Sequence, residues 1–449
     1  MVSMEGTEYV KEPARQIPVC RKVDVVVVGG GPAGLSAAVT AARLGLETLL
    51  VERYGCFGGN ITVCAVEPPS WYRMPKTVES RTVLSELEAR AVTLGYSQPC
   101  QHNPPGVGMC HEADLFKLVC DEIVEKSQVE PFLHCMGAYP IMEGSVVKGI
   151  FTESKSGRQA ILAKIVIDCT GDGDIAARAG VPYDKGADLD HRLMGTTMVF
   201  GVSGVDAQIF REYITNFAEE TANPYTLEGL WMPFREAIDH GDMTGSRFDI
   251  KYNCITDAGE VTGINGVSWW DGKFDCTDII DLTHAEMSLR KRVMDIIDIL
   301  KKYQPGFEKA KLRSFAMQVG CRESRRIHGD YTISRFDIIQ ESRFEDSIGV
   351  FPVHADGLGT IIVPDTDAFF EVPYGILLPQ GVENLLVAGR CISGTHAAVA
   401  TTREMNFCSI TGQGAAAAAA VALRDGVSLR QVDMGKVQHE LVKMDIRVH

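Results

Sequence analysis

VDVVVVGGGPAGLSAAVTAARLGLETLLVERYGCFGG, residues 23–59, is the stretch whose reading decides the fold. An apolar, β-branched run (Val25 to Val28) meets a glycine cluster. An alanine-rich amphipathic segment then reaches Leu44, and a second apolar run ends in Glu52. The spacing predicts strand, tight turn, helix and strand, the first βαβ of a dinucleotide-binding fold. Gly29, Gly31 and Gly34 occupy the G-x-G-x-x-G positions. Gly29 permits the sharp turn, Gly31 keeps a side chain from between backbone and a pyrophosphate, and Gly34 lets helix and strand pack closely. The anion then sits on the free N–H groups of the helix start. Glu52 closes the second strand about 20 residues after the turn, where a carboxylate accepts hydrogen bonds from a ribose diol and disfavours a 2′-phosphate.

Outward from that unit, 449 residues exceed one typical core and call for two or three domains. A net charge of −15 argues against a generic binder of nucleic acid or anionic membrane, which select basic surfaces. Thirteen cysteines are scattered without a C-x-x-C pair. Free thiols in a reducing cytosol are expected, with no metal site. The first 22 residues are polar and lack an apolar signal-peptide core, and no apolar run reaches the roughly 18 residues of a membrane helix. The expectation is a cytoplasmic protein with a small-molecule substrate, no nucleic-acid or membrane partner, and a homodimer as the default assembly.

Taken in order, residues 1–22 form an extension and ITVCAVEPPSWYRMPK reads as loop or cover over a site. Helical spacing runs through 78–95 and again from near His111, and 131–158 fits a small antiparallel meander. The strand Ile165 to Cys169 runs into Thr170-Gly171-Asp172-Gly173. Gly171, Gly173 and Ala176 mimic a second fingerprint, but no strand with a terminal acid follows, so this strand end is assigned to the first domain. From 181 to 379 the pattern changes to dispersed short strands, a helix at 284–303 and Trp231, Trp269 and Trp270, an α+β segment. GVENLLVAGR then returns to the opening pattern, and TGQGAAAAAAVAL reads as a small-residue helix start. The division is 1–22 extension, 23–180 and 380–449 as the two parts of a discontinuous dinucleotide-binding domain, and 181–379 as an inserted substrate or cap domain.

GGGPAG with Glu52, ERYGCFGGNIT, IVIDCTGDGD, CRESRRIHGDY and the terminal VAGRCISGTHAAVATTREMNFCSITGQGAAAAAA together resemble the FAD-dependent oxidoreductases of the glutathione-reductase-type flavoprotein superfamily, in the branch with fumarate-reductase-like and tRNA-modifying flavoproteins. The resemblance implies a Rossmann-like α/β fold and FAD as cofactor. It places Gly29, Gly31, Pro32, Ala33 and Gly34 at the pyrophosphate, with Glu52 on the adenosine ribose and Arg53 beside it. Gly58, Gly59 and Thr62 would approach pyrophosphate and flavin, and Gly171 and Asp172 the adenine half. Gly389 and Arg390 would contact pyrophosphate or ribityl chain. Thr411, Gly412 and Gln413 would open a helix toward the flavin pyrimidine, where the helix N-terminus favours negative charge on the reduced ring.

Hydride transfer to a flavin needs a substrate carbon against N5, and often a base or a cation for an anionic group. His396 is placed by the resemblance to face the isoalloxazine, and Arg403 follows in the same loop. Arg322, Glu323, Arg325 and Arg326 form the densest charge cluster, with Arg322 and Arg326 on one face if the segment is helical. Guanidinium groups there suit a carboxylate or phosphate. His328, His354 and Tyr374 are lesser candidates, and Cys56 is a candidate redox thiol or flavin attachment point. The function so read is an FAD-dependent oxidoreductase moving a hydride between flavin N5 and a small organic substrate, with the arginines leaving room for an anionic one. The alternatives are a flavin-dependent RNA-modifying enzyme and a non-catalytic or electron-transfer flavoprotein subunit.

Overall fold

The computed structural model describes residue 8 and residues 10–69, 76–99, 109–221, 232–243, 250–269, 274–358, 360–362 and 366–449. Trp231, Trp270 and residues 100–108 lie outside this set. The opening unit consists of β1 (Val19–Val28), α1 (Pro32–Arg43) and β2 (Thr48–Val51), with β1 beginning four residues before Val23. β1 pairs in parallel with β2 on one side and with the strand Gly157–Asp168 on the other. The strand Glu130–Phe132 extends the parallel sheet beyond β2. Val25, Val26 and Val27 are fully buried, as a strand covered on both faces requires.

The long strand Gly157–Asp168 has two partners on its far side. Its first half pairs antiparallel with Val146–Ser154, which pairs in turn with Met136–Glu143. Its last residues, Val166 to Asp168, pair in parallel with Leu385–Val387. A strand from the far end of the chain therefore completes the sheet begun at Val19. The C-terminal helix Met405–Asp425 packs along α1, buried from Met405 to Ala422, and its alanines permit that close approach. Among the described residues a second core is built on an antiparallel sheet ordered Cys254–Ile255, Val261–Trp269, Thr196–Ser203, Lys311–Phe315. The helix Ile279–Tyr303 covers it with Ala285, Leu289, Val293 and Ile296.

Three local expectations need correction. The Arg322–Arg326 segment is not helical: Arg325–Ile327 is a strand paired with Tyr183–Lys185, so its arginines point in different directions. The C-terminal helix starts at Met405, so Thr411, Gly412 and Gln413 lie inside it. Eleven described cysteines carry free thiols, but Cys110 is disulfide-bonded. Among the described residues no helix is long and apolar enough to cross a membrane, and no group of three His, Cys, Asp or Glu side chains is arranged to hold a metal.

Candidate active site

A cavity of about 700 Å³ opens at the C-terminal ends of the parallel strands, bordered by Val28, Val51, Cys169 and Gly389, and runs across to the second sheet at Thr197 and Val199. This is where an open α/β sheet offers strand ends and helix starts to a ligand. Gly31 is the N-cap of α1, and no side chain caps that helix, so its first amides stay available beside Pro32 and Ala33. The Gly31 and Gly59 backbones face one another: a methyl at Gly59 would stand 2.7 Å from Gly31 Cα, and one at Gly31 would meet only Gly59 Cα, at 3.8 Å. Gly34 does not reach the cavity. A methyl there would overlap the Gly29 carbonyl, 2.8 Å from its carbon, so its glycine serves the contact of helix with turn.

Glu52 sits at the end of β2, 6 % exposed, and accepts hydrogen bonds from Gly30 N–H (2.6 Å) and Tyr54 N–H (2.9 Å). Arg53 lies over the Tyr54 ring, 4.7 Å from its centroid. Gly171 and Asp172 meet Gly389 and Arg390 across the cavity. Arg390 Nη2 donates to Asp172 Oδ1 at 2.8 Å and Nη1 to Ser324 Oγ at 2.8 Å, while Ser324 donates to Asp172 at 2.7 Å. Burial pushes the Asp172 carboxyl up, but Arg390, Ser324 and Arg53 outweigh it and hold the group below its ordinary value.

Other residues expected at the cofactor lie elsewhere. Thr62 donates to the Phe57 carbonyl (2.7 Å), and Gly58 is a glycine because Thr62 packs on it, so neither lines the cavity. Gly412 packs against α1, where a methyl would be 2.9 Å from the Ala33 carbonyl carbon. Gln413 is fully buried and accepts from Val83 N–H at 2.8 Å. The helix start that does face the cavity is Glu404-Met405, again without a side-chain cap. Its sequence signal is faint, because TTREM lacks the glycines that mark TGQG. Cys56 is buried behind Thr62, and His354 and Tyr374 belong to the core. Burial pushes the His354 imidazole down to about 4. His328 stands 3.0 Å from Asp184 at the surface strand.

At the other end of the cavity His396 Nδ1 is 2.8 Å from Glu323 Oε1. Glu323 is 1 % exposed and also holds Arg326 Nη1 and, at 3.0 Å, Met194 N–H. With Nδ1 occupied by a carboxylate, the imidazole keeps Nε2 for proton exchange. Arg326 spends its remaining donors on the carbonyls of Gly394 and Gly186. Arg325 does not line the cavity itself but donates to two residues that do, Asp174 (2.9 Å) and the Asp172 carbonyl. Arg322 lines the cavity and donates to the Gly195 carbonyl at 2.8 Å.

Arg403 reaches Asp356 at 3.0 Å, and its Nε is buried without a partner. Asp356, Glu404 and Lys251 complete this end and carry no motif by which the sequence alone could single them out. Burial raises the Asp356 carboxyl, but Lys251, Arg403 and Arg322 together pull it far below the ordinary range. Burial dominates at Glu404 and pushes it up to about 7.

An uncapped helix start, a paired glycine cradle and a carboxylate ending β2 fit a dinucleotide, and the rest of the cavity leaves room for a ring system and a substrate. These define a dinucleotide-binding protein with a Rossmann-like fold. The chain belongs to the FAD dependent oxidoreductase family, whose model matches residues 24–441, and FAD is its cofactor. Curated relatives match only locally. An NADH oxidase from Thermoanaerobacter brockii is 42 % identical over 72 residues, 15 % of this chain and 11 % of the relative. A dihydrolipoyl dehydrogenase from Trypanosoma brucei brucei is 56 % identical over 45 residues, 10 % of this chain and 9 % of the relative. The chain thus spans about a tenth of the length of these relatives. Among solved structures, a p-nitrophenol 4-monooxygenase from Pseudomonas putida is 12 % identical, with 95 % of this chain and 87 % of that one covered and a TM-score of 0.49. A geranylgeranyl bacteriochlorophyll reductase-like protein from Thermoplasma acidophilum is 16 % identical, with 95 % and 84 % covered and a TM-score of 0.47.

Proposed function

We propose that this FAD-dependent oxidoreductase transfers a hydride between flavin N5 and a small organic acid, with the His396–Glu323 pair handling the proton. The observation that carries the reading is the charge at the His396 end of the cavity. Lys251, Arg322 and Arg403 face one firmly ionised carboxylate, Asp356, and a second, Glu404, whose protonation burial favours up to about pH 7. The excess of positive charge suits a carboxylate or phosphate group. Gly29, Gly31, Pro32, Ala33 and Gly59 would take the pyrophosphate, Glu52 the ribose, and Gly171, Asp172, Gly389 and Arg390 the middle of the cofactor. FAD supplies a hydride-accepting or hydride-donating N5. Arg322 and Arg403 fix the acid group, and Glu323 sets the tautomer of His396 so that Nε2 takes or returns the substrate proton. The local identity to an NADH oxidase and to dihydrolipoyl dehydrogenases supports a place on the glutathione-reductase side of the flavoproteins. A cytoplasmic homodimer without nucleic-acid or membrane partner, divided as 23–180 with 380–449 and 181–379, completes the proposal.

The test is anaerobic bleaching of the bound flavin by a panel of small hydroxy and amino acids, each paired with its neutral amide. Acids should reduce the flavin and amides should not. His396→Ala should slow the bleaching by about 10²- to 10⁴-fold, the usual worth of a positioned base, and leave the oxidised flavin spectrum unchanged. Equal rates for acids and amides, or an unslowed His396→Ala, would reject the assignment.

A further inference from the structure

Arg403 stands between two carboxyl groups. Its Nη2 donates to Asp356 Oδ2 at 3.0 Å and lies 3.6 Å from Glu404 Oε1, and both acids line the cavity. Glu404 is 7 % exposed and is the N-cap of the helix Met405–Asp425, yet its side chain makes no cap hydrogen bond to that helix. An acidic N-cap ordinarily accepts from the first helix amides, which stabilise its ionised form. Glu404 forgoes them: its Oε1 is buried and accepts no hydrogen bond among the described residues. From this arrangement we propose that Glu404 meets the substrate's acid group as a neutral carboxyl, giving its O–H hydrogen to the incoming carboxylate, so that each acid enters with one proton from solvent. This role rests on the acid site of the proposed function and supplies its pH dependence.

The charges around Glu404 come from four segments. Arg403 precedes it, Asp356 lies on the strand Ala355–Gly357, Lys251 bridges to Asn265 of the second core's sheet, and Arg322 follows the strand Lys311–Phe315. Lys251, Arg403 and Arg322 together keep Asp356 ionised against burial. At Glu404 the same three cations do not offset burial, and Asp356 adds a like charge, so this carboxyl is pushed up to about 7. His354 and Cys408 add no charge near neutral pH, because burial holds the imidazole down to about 4 and the thiol up to about 12. His396 and Glu323 are paired with each other at the same end of the cavity. A substrate carboxylate brings a third acid group to the three cations. With Glu404 ionised it would face two negative neighbours; with Glu404 protonated it faces one and gains a charge-assisted hydrogen bond. The proton adds to Glu404 with no other bond made or broken, and it returns to solvent when the acid leaves.

The experiment titrates acetate, butanoate and benzoate, each beside its amide, into the oxidised holoenzyme between pH 6 and pH 9 and follows the visible spectrum of the bound flavin. Ordinary carboxylic acids stay ionised throughout this range, so a slope belongs to the protein. In wild type each dissociation constant should be nearly level below about pH 7 and rise about tenfold per pH unit above it, the mark of one proton bound with the acid. Glu404→Gln keeps a donor that does not titrate, and should bind with a level profile close to the wild-type value at pH 6. His396→Ala should keep the wild-type slope. A level profile in wild type, a slope that survives in Glu404→Gln, or one lost in His396→Ala would overturn the proposal. Where Glu404→Gln fails to fold, calorimetry of wild type at pH 8 in two buffers of different protonation enthalpy decides: about one proton taken up per acid is expected, and none would overturn it. Acids and amides binding alike, or no acid binding, would remove the acid site and this role with it, whereas an acid preference without the slope removes this role alone.

Discussion

Gly31 and Gly34 lie one turn of backbone apart and should fail in opposite ways when each receives one methyl group. Gly31 has φ −77° and ψ −171°, backbone that alanine adopts without strain, and its new methyl would meet only Gly59 Cα at 3.8 Å. Gly31→Ala should therefore leave the apoprotein as stable as wild type, or more stable by about 0.4–1 kcal/mol through the stiffer unfolded chain. The methyl occupies the space through which a pyrophosphate oxygen approaches the α1 amides. Losing one charge-assisted bond there costs about 1.5–3 kcal/mol, which is roughly a 10- to 150-fold weaker FAD affinity. Gly34→Ala instead drives a methyl into the Gly29 carbonyl and to 3.3 Å from Cys169 Cβ. Carbon atoms rest about 3.5–4.0 Å apart, so α1 must retreat from the turn by about 1 Å. Overpacking of that kind costs about 1–3 kcal/mol or more. The assay is FAD fluorescence quenching on titration into apoprotein, beside a melt of each apoprotein. An FAD affinity of Gly31→Ala within threefold of wild type would refute the cradle. A Gly34→Ala apoprotein melting with wild type would refute the helix–turn contact.

Removing charge from Glu323 tests the pair that orients His396. Glu323→Gln leaves Arg326, itself 4 % exposed, without its counter-ion, and unpairing a buried charge costs about 3–5 kcal/mol; urea unfolding that shows no loss would mean the pair is dispensable. The buried carboxyls Glu67 and Glu404 are both pushed up to about 7, from 4.5, chiefly by burial. The folded state therefore binds protons more tightly than the unfolded one. Their stabilising contribution is full below about pH 4.5 and is lost as pH rises through about 7. Relative to wild type, Glu67→Gln and Glu404→Gln should each flatten the fall in unfolding free energy between pH 5 and pH 8 in denaturant titrations; parallel curves would contradict the burial argument.

The cofactor half of the site was legible because its chemistry is local. Gly29, Gly31, Pro32, Ala33 and Glu52 belong to one supersecondary unit whose turn, helix start and strand end are set by residues a few positions apart. The C-terminal helix start was misread at Thr411 because a small-residue run marks close packing as readily as it marks an anion site. Here Gly412 packs on α1 and the helix opens at Met405. The arginine cluster was visible as charge. Its division into a cavity residue (Arg322), an Asp174 partner (Arg325) and a Glu323 partner (Arg326) follows from a strand pairing with Tyr183–Lys185 that no local pattern announced.

By itself the sequence determined the dinucleotide fold, the acidic end of β2 and the return of the chain to its first sheet, because hydrophobic period and glycine placement act over short distances. Tertiary structure alone decided that His396 meets Glu323 and that Lys251 and Arg403 face Asp356. Each of those pairs joins segments far apart in the chain. Their approach depends on how two cores pack around one cavity, which is a property of the whole fold.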